Sequence, residues 1–132
     1  MALTKDANTP ERDGALVSAP VAAATIIYAG SMVALNAAGN AVPAADTAAL
    51  KVLGRAESQV NNAAGAAGDL KVTVKRGTFR FKNSGTAALA AGDELTNALV
   101  EDDGTVAKTS TNSIVAGKII EIDASGVWVE IK

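Results

Sequence analysis

Few residues in this chain are equipped for chemistry. Histidine and cysteine are both absent, which removes the commonest general base, the commonest metal ligand and the thiolate nucleophile together. Carboxylates gather most closely at Glu101, Asp102 and Asp103. A calcium or magnesium site needs several such oxygens converging on one point, and this spacing follows no known metal loop. Gly104 comes next, between two runs that favour strands, and Asp-Gly in that setting is a hairpin signal. The cluster therefore reads as a turn. No glycine-rich phosphate loop of the usual pattern occurs either. The expectation is a protein that is not an enzyme and holds no cofactor or metal.

Two other features point to contacts rather than catalysis. Lys71, Lys75, Arg76, Arg80 and Lys82 form a basic run. Outward positions on a half-exposed strand account for Lys71 and Lys75; facing a phosphate or an acidic partner is the alternative for the run. With 12 basic and 14 acidic residues the net charge is −2, so no long-range field supports a nucleic-acid surface. Near the end of the chain Val127, Val129 and Ile131 fall on one face of a strand, which leaves the sole tryptophan, Trp128, on the other with Glu130 and Lys132. A large aromatic on a polar face is a candidate contact for a partner or a neighbouring subunit. Coverage of the strand on both sides, or an arm folded over it, is the competing explanation.

The elements that must position these residues are strands. The stretch at 70–82, LKVTVKRGTFRFK, alternates most strictly: Leu70, Val72 and Val74 occupy even positions, Phe79 and Phe81 odd ones. A strand has a period of two, so the change of parity requires a bulge or corner between the two sets. Gly77 is placed to make it. Hydrophobic residues make up 48% of the chain but aromatics only 3%, and alanine dominates, so the core must be thin and built from Val, Ile, Leu and small side chains. The uncharged run at 15–35 contains Pro20, Gly30 and mostly small residues, behind an upstream flank that mixes acids and bases. It reads as neither a membrane span nor a secretion signal, and a soluble chain is expected.

Residues 1–14 have little apolar content and no periodicity, so they are expected to form an extended arm that is disordered alone or straps onto a partner. Leu3, Pro10 and Arg12 are its candidate contacts with a partner or a neighbouring subunit. A single β-rich domain is expected over 15–132. Strands are expected before Pro20, at 25–28, at 32–36 with a return at Ala41 and Val42, from 51 or 52 to 60, and then after the loop at 61–69. Asp46 is placed to cap one or two turns of helix stopping at Gly54. Hairpins are expected around Gly104 and around Ser125-Gly126. An echo also runs through the chain: Gly14, Gly30, Gly39 and Gly54 are matched by Gly77, Gly92, Gly104 and Gly117, each sixty-odd residues on. Residues 14–76 and 77–132 thus read as pseudo-repeats, with similar turn chemistry in unrelated hairpins as the alternative. The fold class expected is all-β, a small β-barrel or β-sandwich of short hairpins.

Together these stretches resemble the capsid cement, or head decoration, proteins of tailed bacteriophages. The likeness lies in the polar arm, PVAAATIIYAGSMVALNAAGNAVPA at 20–44, VLGRAESQVNN at 52–62, AAGDEL at 90–95 and VAGKIIEIDASGVWVEI at 115–131. The resemblance implies a non-enzymatic virion protein, often a homotrimer, seated on the outer capsid surface where it staples major capsid proteins. It implies no catalytic residue, no nucleic acid and no membrane. A receptor- or glycan-binding module of a virion fibre or cell surface is the alternative, although one Trp and one Tyr are few for sugar platforms.

Overall fold

The computed structural model describes residues 2, 4–9 and 14–132. Leu3, Pro10 and Arg12 lie outside the described residues. The rest of the alternating pattern becomes strands: β1 Leu16–Pro20, β2 Thr25–Ile27, β3 Met32–Leu35, β4 Ala41–Pro43, β5 Lys51–Ala56, β6 Val60–Asn62, β7 Lys71–Lys75, β8 Gly77–Asn83, β9 Asn97–Asp102, β10 Thr105–Ala107, β11 Val115–Asp123 and β12 Gly126–Ile131. The protein is all-β, with no helix among the described residues. β8 to β12 close into a five-stranded barrel, and the first half forms a five-stranded sheet in the order β1-β7-β5-β3-β4 with a separate β2–β6 ribbon.

The parity change at 70–82 is the junction of these two units. β7 buries Val72 and Val74, β8 buries Phe81, and only Arg76 separates the strands. Gly77 has φ +155°, a backbone state that L side chains rarely adopt. β7 stays in the first sheet while β8 enters the barrel, so the switch of face is a crossing from one sheet to the next.

The two units share one topology. Around the barrel the order is β8-β12-β11-β9-β10, which is the order β1-β7-β5-β3-β4 with each strand replaced by its counterpart of the same rank once the ribbon is set aside. Neighbours are antiparallel in both. The barrel closes through parallel pairing of β10 with β8, and in the first half that closure contracts to one parallel bridge between Val21 and Ala41. Its hydrogen bond from Ala22 N–H to the Ala41 carbonyl, 3.0 Å, has a barrel equivalent from Ser84 N–H to Val106, 2.9 Å. Both long strands bulge at the same place: Val33 pairs Gly54 and Ala34 pairs Val52, while Ala98 pairs Gly117 and Leu99 pairs Val115. The skipped residues, Leu53 and Ala116, turn inward and are buried.

This register corrects one of the expected glycine matches. Gly30 N–H donates to the Ala56 carbonyl and Ala56 N–H to Ser31, as Leu95 N–H donates to Ile119 and Ile119 N–H to Thr96. Ser31 Oγ and Thr96 Oγ1 each donate to the carbonyl three residues back, at Tyr28 and Asp93. The counterpart of Gly30 is therefore Leu95, not Gly92. Leu95 keeps the left-handed backbone, φ 66° against 81° for Gly30, at a strain of about 1 kcal/mol that the glycine avoids, and its side chain is 66% exposed.

Other expectations are also corrected. The strand expected up to residue 60 stops at Ala56, and Asn61 and Asn62, expected in a loop, belong to β6. Asp46 caps no helix. Its carboxylate accepts hydrogen bonds from Thr111 N–H and Asn112 N–H at 2.9 and 2.8 Å, while the Asn112 amide returns one to the Asp46 carbonyl. The long-range bond competes successfully with the local cap because it satisfies two donors of a loop that has no ladder of its own.

The core is aliphatic, as the composition requires. Its largest fully buried side chains are Ile27, Met32, Ile119 and a set of valines that includes Val72, Val74, Val127 and Val129. Complete burial of each is worth about 1.5–3 kcal/mol. Met32, Ala34 and Ala44 of the first half join the barrel's core cluster, with Val52 and Leu50 packed against it. The remaining first-half side chains make a second cluster around Val21, Ile27 and Val74. The two units thus share apolar surface along one side.

Candidate functional site

Trp128 sits on the outer face of β12, half-buried, while Val127, Val129 and Ile131 face the core. Antiparallel pairing of β12 with β8 sets it directly opposite Arg80. The Arg80 guanidinium carbon lies 5.8 Å from the centre of the indole ring, within cation–π range. On its other side the indole Nε1–H donates to Asp123 Oδ2 at 3.1 Å. Asp123 closes the β11–β12 turn, with Oδ1 accepting from Ser125 N–H and Gly126 N–H at 2.7 and 3.0 Å. A turn carboxylate therefore fixes the orientation of the tryptophan.

A second cation–aromatic pair lies in the same open cleft, which is lined by Gly30, Arg55, Thr78, Phe79, Arg80 and Trp128 among others. The Arg55 guanidinium carbon stands 4.2 Å above the Phe79 ring, and Phe79 meets Phe81 edge to face at 6.5 Å. Arg55 comes from β5 and Phe79 from β8, so this contact joins the two units. Arg55 Nη2 also pairs with Glu57 at 2.8 Å, and its Nε is buried with no acceptor.

The expected basic run is spread over both units. Lys71 and Lys75 point outward from β7 between buried valines, Arg76 lies at the seam, and Arg80 and Lys82 point outward from β8. Glu101, Asp102 and Asp103 diverge to separate partners. Ser84 Oγ donates to Glu101 at 2.6 Å, Asp102 accepts from Gly104 N–H in the hairpin turn, and the Asp103 carbonyl accepts from Met32 N–H. Burial, followed by the charge of Asp102, raises the Asp103 pKa.

Sequence reasoning set Trp128 on the outer face through strand alternation and named Arg80 only as a member of the basic run, and it missed Arg55 and Phe79 as a pair. Their contact spans two units folded from separate stretches of chain, and neither local periodicity nor spacing carries that information. Comparison with family models, with curated proteins and with solved structures found no match.

The Asp123 carboxylate gives the cleft an acid-sensitive support. Its pKa is held below the ordinary value, first by the Ser125 backbone N–H and then by the Trp128 indole, with smaller help from Gly126 and Arg80. A folded-state pKa below the unfolded one means that the stabilisation is present above the ordinary carboxylate range and is lost as pH falls through the depressed value. Acidification through that window is expected to shift Trp128 fluorescence as the indole loses its charged acceptor. Asp123→Asn keeps a neutral acceptor and is expected to abolish the shift; an identical acid transition in that variant would show that another group controls the indole.

Proposed function

We propose that this chain is a structural virion protein that binds the outer surface of an assembled phage capsid and stabilises contacts between major capsid proteins, working as a homotrimer. The observation that carries the reading is the pre-oriented Trp128–Arg80 pair on the outer face of the barrel. Tryptophan and arginine dominate the energetics of protein interfaces, and side chains already held in place lose little freedom on binding. The resemblance of the sequence to capsid cement proteins points the same way. Many copies on one shell also allow weak individual contacts to act together.

The test is co-sedimentation of the purified protein with capsids stripped of their outer decoration. Wild-type protein is expected to pellet with them, and Trp128→Ala to weaken attachment about tenfold or more. Removal of residues 1–14 is expected to weaken it further if the arm acts as a strap. Mass measurement in solution checks the trimer. Failure of the wild type to pellet, with specific retention on a glycan array, would replace this reading with that of a glycan-binding module.

A further inference from the structure

We propose that the cleft between the two units is a docking site for an extended acidic segment of the partner protein, with a carboxylate on Arg80 and an apolar side chain two residues along against Trp128. The identity of the partner rests on the capsid reading; the chemistry of the cleft does not.

Charge complementarity selects the occupant. The ion pairs among the described residues are Arg55–Glu57, Lys108–Asp93 and Lys132–Glu130, so Arg80 keeps its guanidinium donors for a ligand. Arg55 is balanced by one exposed carboxylate and retains a buried donor without an acceptor. Lys75, which pairs Arg55 across β7 and β5, and Arg76, which follows it, are further exposed cations at the junction of the two units. The cleft itself thus holds two arginines in a chain whose net charge is −2. A carboxylate matches the planar guanidinium fork. Polyanionic nucleic acid fits poorly, because Glu57 and Asp123 stand close to the same arginines.

The aromatic rings supply the second half of the recognition. Trp128 and Phe79 are only partly buried, and each lies against an arginine. This stacking limits the freedom of the guanidinium groups before any ligand arrives, which lowers the ordering cost of binding. Arg80 and Trp128 share one face, opposite each other on β8 and β12, so the acid and the apolar side chain that meet them stand two residues apart on an extended segment, where side chains share a face. Such a segment laid along the cleft presents a carboxylate to Arg80 only where its chain direction and register suit the seam, and this sets specificity.

Trp128 is the only tryptophan, so its emission reports on this site alone. The full-length protein is titrated with a short capped peptide that carries Glu and Leu two residues apart with serine between them, with the same peptide carrying Gln for Glu, and with inorganic phosphate. The Glu peptide is expected to give a saturable emission change that weakens with added salt. Affinity is expected to fall about tenfold for the Gln peptide and about tenfold in Arg80→Gln, with partial recovery in Arg80→Lys. Equal affinity for the Glu and Gln peptides, an unchanged titration in Arg80→Gln, or displacement of the peptide by equimolar phosphate would overturn the proposal. Co-sedimentation of Arg80→Gln with stripped capsids separates the two readings. Wild-type protein that binds the Glu peptide but no capsid removes the capsid partner and keeps the cleft; wild type and Arg80→Gln pelleting equally removes the cleft and keeps the capsid.

Discussion

Gly117→Ala is expected to destabilise the protein by about 3 kcal/mol, although it adds a single methyl group. Gly117 lies on β11 against β12, and a methyl there would overlap the backbone carbonyl of Glu130 and crowd a Val129 methyl. The obstacle is main chain inside a closed barrel, so no side-chain rotation relieves it. The strands must part at the place where Lys118 pairs Glu130. The first unit makes the same demand: a methyl on Gly54 would sit 2.5 Å from the Lys75 carbonyl oxygen and 2.7 Å from a Val74 methyl. Gly54→Ala is expected to cost about as much, while Gly85→Ala, with nothing within 4 Å of the new methyl, should stay within about 0.5 kcal/mol of wild type. Urea unfolding checks all three through the midpoint at constant slope. A Gly117→Ala midpoint equal to that of Gly85→Ala would remove close backbone approach as the reason for this glycine.

The matching close approach of backbone at Gly54 and Gly117 marks which parts of the shared topology the sequence made legible. Where glycine is required by close packing, as at these two positions, or by a hairpin turn, as at Gly39 and Gly104, the two halves share it and the echo can be read directly. Where only a left-handed backbone is required, a different residue can accept the strain. Leu95 does so, and Gly92, which has its own positive φ nearby, offers a false match. The parity change at 70–82 was legible because a period of two leaves no other account of it. Trp128 on the outer face was legible for the same reason. The parallel closure by β10 and β8, the Asp46 clamp on residues 111 and 112, and Arg55 over Phe79 were not. Each joins segments far apart in the chain through contacts that leave no mark on local periodicity.

Asn62 is the sharpest instance, and Asn62→Asp is expected to cost about 4 kcal/mol at neutral pH. An asparagine beside glycine and alanine reads as a turn residue, yet this one is only 2% exposed. Its amide nitrogen donates to the carbonyls of Ala22 and Ala66, both at 3.0 Å, and lies 3.4 Å from that of Val21. Val21 and Ala22 form the bridge that closes the first sheet onto Ala41, so Asn62 fastens the extra ribbon to the point where the first unit closes. Aspartate would set a carboxylate against those carbonyls, and both burial and the loss of donors would raise its pKa above the unfolded value near 4. A raised folded-state pKa gives a deficit that is smallest below the unfolded pKa, where the neutral acid still donates one hydrogen bond, and that grows as pH rises through the folded value. Asn62→Ala, which has no titrating group, is expected to lose about 2 kcal/mol at every pH. Urea unfolding of both variants against wild type at acid and neutral pH separates them, and a pH-independent difference between Asn62→Asp and wild type would refute the assignment. Hydrogen exchange adds the location: amides of β1, β2 and β6 should lose protection before those of β11 and β12, because the barrel closes through its own parallel pair and does not depend on Asn62.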